Sequence, residues 1–419
     1  MRGQLPLLLS ILLTCSAWAV DPYQTRPAGM KPVCDDSYVE IKNPPPVRDQ
    51  GVYGLCYAHS SLLLLEHLRC SRSASPASCY QNAGSVLHLA RFNTNNGERI
   101  VAGGYPGNVL ENFRYNGAKL ANESCAPYER WSDLAKISPP SDDSGEYDYF
   151  HSMWQKLRAN SSDDNKLCLA LELKDAGFDQ NLQELITVIN KVNEMSWKEL
   201  RYKLLVPQSC FDQSIKYPDY DIRPYPSKGS DKKDFKSIRD QVFRSLSKGY
   251  PLEASFCAVK DANGVCGYHS ATIIGQRHVC DLGQCRLQFR IQNSYGESWQ
   301  KYNDNGWVDA ENLSELMSDP SMGLITIMPK GESLDLNASS PFYRNSPVSS
   351  HTPRSQHSSG ESCWAVNTSE IKTHPVPAPS ASAKPAEEER RKNVLFICKK
   401  DGQTLFTDSP TPDMDCRER

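Results

Sequence analysis

The stretch Gln50 to Glu66, QGVYGLCYAHSSLLLLE, constrains the fold more than any other part of the chain. Tyr57 to Leu68 reads as a helix, and its run Leu62-Leu63-Leu64-Leu65 is too apolar for a half-exposed face. Such a helix must be central and buried. Cys56 stands at its start, where unpaired backbone N–H groups and the positive end of the dipole favour a thiolate. Gly51 and Gly54 permit a tight turn ahead of it.

The remaining elements give an α+β order. Ser85 to Phe92 and Pro106 to Asn116 are short helical candidates, separated by the chain break at Gly103-Gly104. Phe235, Ile238, Val242 and Leu246 line one side of a helix over Phe235 to Lys248, with Gly249 at its stop. Leu252 to Ala258, His269 to Gln276, Cys285 to Gln292 and Leu324 to Met328 are β-rich runs bounded by turn residues, and Val39 to Ile41 alternates weakly like an edge strand. Helices first and antiparallel strands later is the α+β arrangement.

The first residues read as an export signal. Arg2 precedes the apolar run Leu5 to Leu13, and Ala17-Trp18-Ala19 supplies the small residues of a cleavage site, so residues 1–19 are expected to be removed. Threonine at position 14 fits poorly before a lipidated Cys15, so release into the periplasm or medium is favoured over anchoring. No later segment is long and apolar enough to span a bilayer. In an oxidising compartment the cysteines pair, and the closely spaced candidates are Cys70 with Cys79, Cys257 with Cys266, Cys280 with Cys285, and Cys398 with Cys416. Cys34, Cys125, Cys168, Cys210 and Cys363 cannot be paired from spacing. From Gly331 to Lys392 the chain turns to Ser, Pro, Ala and charge, the composition of a disordered linker over 331–392. Residues 393–419 read as a small hairpin module around the Asp401-Gly402 turn.

Three segments carry chemistry together. Tyr53-Gly54-Leu55-Cys56-Tyr57, Gly267-Tyr268-His269-Ser270-Ala271 and Ile291-Gln292-Asn293-Ser294-Tyr295-Gly296 occur in the order of a thiol nucleophile, an imidazole and the group that orients it. The chain therefore resembles the papain-like cysteine peptidases over about Val39 to Pro329. The resemblance implies a two-domain fold: a helical left domain with Cys56, an antiparallel β-barrel-like right domain with His269 and Asn293, and a cleft between them. It also assigns Gln50 and the backbone N–H of Cys56 to the oxyanion. Gly103-Gly104 matches the family's segment beside the cleft, where a backbone without a side chain can pair with an extended peptide. Trp299 matches a tryptophan that shields the thiol–imidazole pair, and Tyr295 stands where the family has another.

Within residues 20–330, positions 131–207 look like an insertion, because Cys56 and His269 are farther apart than the family's usual spacing of about 130–150 residues. Leu182, Leu185, Ile186 and Ile189 repeat at helical spacing there, as do Tyr149, Met153, Trp154 and Leu157, making the segment a helical lid, a docking surface or a plain decoration. The family's disulfide next to the nucleophile is absent at both ends, since Tyr53 and Val101 occupy its positions. The approach segment is too short for the long helical propeptide of the family, so inhibition by a separate protein is an option. The expected activity is endopeptidase hydrolysis by a monomer acting on a protein or peptide, with no cofactor and no metal. Transpeptidase, acyltransferase or amidase chemistry on the same residues, and a non-catalytic binding scaffold, are the alternatives. A net charge of −3 without a basic block among aromatics gives no support for a nucleic-acid partner. Cys257, Cys266, Cys280 and Cys285 lack the tight spacing of a zinc site and are read as two local disulfides.

Overall fold

The computed structural model describes residues 23, 25, 30–33, 37–51, 53–94, 103–128, 155, 158–159, 163–175, 181–226, 234–260, 264–281, 284–317, 323–334, 396–400, 403–407 and 415–418. Helix α1 (Cys56–Cys70) is the axis of its helical part. Leu62, Leu64 and Leu65 are wholly buried and Leu63 half-buried, as the leucine run requires. Around α1 pack α2 (Pro76–Gln81), α3 (Val86–Ala90) and α4 (Pro106–Tyr115). Proline at the first turn of α2 and α4 and Ser85 capping α3 account for where these helices begin.

The part of the expected insertion that is described contains helices Asp163–Asp175, Leu182–Asn190 and Trp197–Leu205. Leu169, Leu173, Leu185 and Ile189 are buried in the same apolar cluster as Leu62 and Leu65. These helices therefore pack into the core of the helical part. Asn181 and Ser196 cap the second and third of them. Cys125 and Cys210, which spacing could not pair, form a disulfide across the base of this segment. Tyr149, Met153, Trp154 and Leu157 lie outside the described residues.

The β part is an antiparallel sheet in the order β5 (Tyr220–Tyr225), β10 (Gly323–Pro329), β6 (Leu252–Lys260), β7 (Cys266–Asp281), β8 (Gln284–Gln292), β9 (Trp307–Asp309). β1 (Lys31–Val33) and β2 (Val39–Glu40) continue the β6 edge of β7, opposite residues 278–280 and 275–276, while β3 (Lys119–Leu120) and β4 (Ile215–Lys216) pair separately. Helix Phe235–Ser247 packs on the sheet through Ile238, Val242 and Leu246, which join Leu252, Phe256, Ile273 and Phe289 in a second apolar cluster. The buried apolar residues thus divide into a helical cluster and a sheet cluster. The barrel-like closure expected of the sheet is not formed among the described residues. β9 has only three residues, and Asp309 turns to cap helix Ala310–Leu316, so the chain leaves the sheet before its end can meet β5.

Cys70–Cys79, Cys257–Cys266 and Cys280–Cys285 are disulfides, as the spacings predict. The last two fasten the ends of the β6–β7 and β7–β8 hairpins, so these four thiols hold each other and not zinc. Near the C-terminus, β11 (Phe396–Lys400) pairs with β12 (Gln403–Thr407) and β13 (Asp415–Glu418), and the register sets Cys398 opposite Cys416. Residues 1–22 and 335–395, which include the signal and most of the linker read from the sequence, lie outside the described residues.

Candidate active site

The loop before α1 and the loop after β8 are stitched together by backbone. Gln50 N–H donates to the Ser294 carbonyl at 2.8 Å, Gly296 N–H donates to the Arg48 carbonyl at 3.1 Å, and Asp49 bridges Tyr295. Gly296 has φ +80°, and a Cβ there would lie 2.8 Å from the Asp49 carboxylate, so glycine is required twice over. This stitching places the nucleophile loop against the loop that carries Asn293.

Cys56 is a free thiol, buried, at the first position of α1. Burial pushes it up to about 11, with the backbone N–H groups of Ser270 and Tyr57 acting in the opposite direction and the Glu253 carboxylate adding to the rise. The helix start alone favours a thiolate, but desolvation outweighs it, and the resting sulfur is a neutral thiol. Ser270, whose N–H reaches the sulfur, directly follows His269 on β7. Cys56 and the residue next to His269 therefore meet across the join of the helical and sheet parts.

The state of His269 follows from its partners. Ser294 N–H donates to Asn293 Oδ1 at 2.8 Å, which identifies that atom as the oxygen. The same oxygen lies 2.7 Å from His269 Nε2, so Nε2 carries the hydrogen and donates. Nδ1 is then a bare lone pair, and Tyr295 donates its hydroxyl to it at 3.2 Å. The Tyr295 ring also stacks on the imidazole, with centroids 4.8 Å apart. Burial holds the imidazole at about 4, against a smaller upward pull from Asn293, so His269 is neutral at rest.

Gln50 is buried with its amide half used: Nε2 donates to the Tyr53 carbonyl at 2.6 Å, and Oε1 accepts from the Ser294 hydroxyl. One amide hydrogen remains for another acceptor. Trp299 lies edge-on to Tyr295 at 6.2 Å. Gly104 is held against the start of α1, since a Cβ there would lie 2.6 Å from Asn93 Nδ2 and 2.9 Å from the Tyr57 ring, and the Gly103 carbonyl accepts from Asn93. The structure thus brings together Gln50, Cys56, His269, Asn293, Tyr295 and Trp299, with Gly103-Gly104 alongside Tyr57.

Three contributors were not singled out in the sequence. Tyr23 inserts its ring edge-on to Trp299 at 5.0 Å and Phe256 at 6.1 Å. Its hydroxyl lies beside Asn293, Tyr295 and Cys56, and burial first, then Tyr295, raises it well above the ordinary phenol range. Glu253 is wholly buried on β6, accepting from Ser255 at 2.6 Å and Ser270 at 2.7 Å, and burial pushes it up to about 7. Ser270 shares a further hydrogen bond with Ser60 of α1 at 2.6 Å. A glutamate within the apolar run Leu252 to Ala258 was the one available signal, because a charge in a central strand needs a reason. Tyr23 gave none.

No family model matches the chain, and no curated protein matches it in sequence. Among solved structures it is similar to the bromelain protease from Ananas comosus in complex with the E64 inhibitor, at 11% identity and TM-score 0.34, covering 69% of this chain and 95% of that one. Xylellain, a cysteine protease from Xylella fastidiosa, is similar at 14% identity and TM-score 0.39 over 71% of this chain and 90% of its own. SERA5E from Plasmodium falciparum is similar at 16% identity and TM-score 0.35 over 71% and 98%. Overlaps this loose assign no activity, which must come from the residues themselves.

Proposed function

We propose that the chain is an exported papain-like cysteine endopeptidase. The observation that carries this reading is the His269–Asn293 hydrogen bond of 2.7 Å beside the free, buried Cys56 at a helix start. Cys56 gives its proton to His269 Nδ1, and the sulfur attacks the peptide carbonyl. The tetrahedral oxyanion accepts from the backbone N–H of Cys56 and from the remaining amide hydrogen of Gln50. His269 returns the proton to the departing amine, leaving a thioester on Cys56. Water then attacks the thioester, passing a proton through His269 to the sulfur, and the acid product leaves. Asn293 holds the imidazole without adding charge, and its oxygen accepts from Nε2 both before and after Nδ1 takes the proton.

The substrate is an extended peptide, lying along Gly103-Gly104 and bordered by Tyr295 and Trp299. The cleft runs between the helical and sheet parts, and the enzyme acts as a monomer without a cofactor. Four disulfides among the described residues support an oxidising compartment. This agrees with residues 1–19 acting as an export signal. The test is to expose the purified protein and Cys56→Ala to a thiol-directed epoxide and a peptide library. Cleavage and an adduct on Cys56 in the wild type alone are expected. Equal cleavage by both proteins, with no adduct on Cys56, would overturn the mechanism.

A further inference from the structure

Behind the candidate site lies a pocket of about 310 Å³, backed by Ser270, Asn293 and Ser294 and lined by neither Cys56 nor His269. Its polar groups are unevenly satisfied. His59 of α1 is 4% exposed and lines the pocket, yet neither of its ring nitrogens has a hydrogen-bond partner. Buried polar atoms are seldom left so. Arg48 faces the same space, close enough that its charge adds to the burial that keeps His59 neutral. Its guanidinium meets Glu123 through Nη1 at 3.4 Å.

The two carboxylates in the lining are already committed. Glu66 accepts from Arg69, Tyr217 and the Gly84 N–H, and Glu123 accepts from the Val86 and Tyr128 N–H groups. What remains are the Arg48 N–H groups beyond the one on Glu123 and, on His59, one N–H donor and one bare lone pair. The apolar part of the wall is Pro45, Pro46, Leu63, Ala83 and Ala271, and Ser60, Tyr80, Gln81 and Gln292 complete the lining. The volume corresponds to roughly ten waters at about 30 Å³ each, or a molecule of about ten heavy atoms. Two nearby carboxylates disfavour a multiply charged anion, so a single negative charge fits best.

We propose that this pocket binds a small organic monocarboxylate, its carboxylate between Arg48 and His59 and its apolar body against Pro45, Leu63 and Ala83. Benzoate is a suitable probe, with benzamide as its uncharged counterpart and chloride as the charge without a body. Isothermal titration of the full chain at fixed ionic strength should show one saturable benzoate site. Benzamide and chloride should each bind at least tenfold more weakly, a comparison that needs no variant. Arg48→Met and His59→Phe should each weaken benzoate at least tenfold, and protein alkylated on Cys56 should bind benzoate unchanged. Absence of a saturable benzoate site would overturn the proposal, as would equal binding of benzamide or chloride, or unchanged affinity in the two variants. Loss of binding on Cys56 alkylation would also overturn it, by moving the benzoate to the candidate active site.

Discussion

Replacing Tyr295 by phenylalanine removes a single hydroxyl from the lone pair that the proposed reaction needs. Because Asn293 Oδ1 fixes the hydrogen on His269 Nε2, Nδ1 is the only nitrogen able to take the Cys56 proton, and Tyr295 donates to it at 3.2 Å. Thiol and phenol therefore compete for one acceptor. A neutral hydrogen bond of this kind is worth about 0.5–1.5 kcal/mol net, so freeing Nδ1 should speed proton transfer from Cys56 by roughly twofold to tenfold. The ring stack on His269 and the edge contact with Trp299 do not involve the hydroxyl and survive in Tyr295→Phe, while its hydrogen bond with the Tyr23 hydroxyl is lost as well. The assay is the second-order rate of Cys56 alkylation by iodoacetamide at pH 7, read by mass spectrometry, with thermal unfolding as the control for folding. A rate unchanged or lower than wild type in a fully folded variant would refute the competition, and with it the tautomer assigned to His269.

Four further outcomes follow from the same contacts. Gln50→Ala should lower kcat about a hundredfold to a thousandfold while Cys56 alkylation changes little, and a loss confined to KM would remove Gln50 from the oxyanion site. Glu253→Gln should shift the alkylation midpoint of Cys56 to lower pH, because the carboxylate raises the thiol, and a midpoint that stays or rises would contradict this. The Cys125–Cys210 bridge closes a sequence separation of 85 residues, so replacing both by alanine should lower stability by about 4–5 kcal/mol in the loop-entropy model, measured by urea unfolding. Burial lowers His269 and His88 to about 4 and His59 to about 3, so the unfolded chain takes up these protons first as pH falls below about 6.5. The stability given by the neutral rings is present above that pH and is lost on acidification. Glu253, raised to about 7, opposes this by one proton down to its ordinary range near 4.5. A net two protons gives a fall of roughly 3 kcal/mol per pH unit from these groups between about pH 6.5 and 4.5, and a urea midpoint that is flat or rises there would refute the sign.

The elements that came through from the sequence are those whose pattern is local. The leucine run demanded a buried helix, Ile238, Val242 and Leu246 marked one face of another, and the hairpin spacing of Cys257–Cys266 and Cys280–Cys285 foretold their bridges. Gln50, Cys56, His269 and Asn293 were legible because each sits in a motif and the motifs occur in order. What was not legible depends on residues far apart in the chain. Cys125 and Cys210 come together only once the helices between them have packed, and Tyr23 reaches Trp299 only because β1 and β2 first run along β7. The failure of the sheet to close belongs here too, since the capping role of Asp309 competes with strand extension in a way no periodicity reveals.

The same distinction separates the parts of the site from its resting state. Motifs specify which groups meet, but protonation depends on burial, and burial is a property of the whole assembly. From the helix start alone Cys56 is a thiolate. Enclosed by Tyr23, Tyr57 and the β6–β7 hairpin, it is pushed up to about 11, while burial holds the His269 imidazole at about 4. Bringing that pair to thiolate and imidazolium requires the hydroxyl of Tyr295 to leave Nδ1 and new dipoles to reach the sulfur. In the proposed reaction, a peptide lying along Gly103-Gly104, which packs on the Tyr57 ring, would bring amide groups toward the buried thiol.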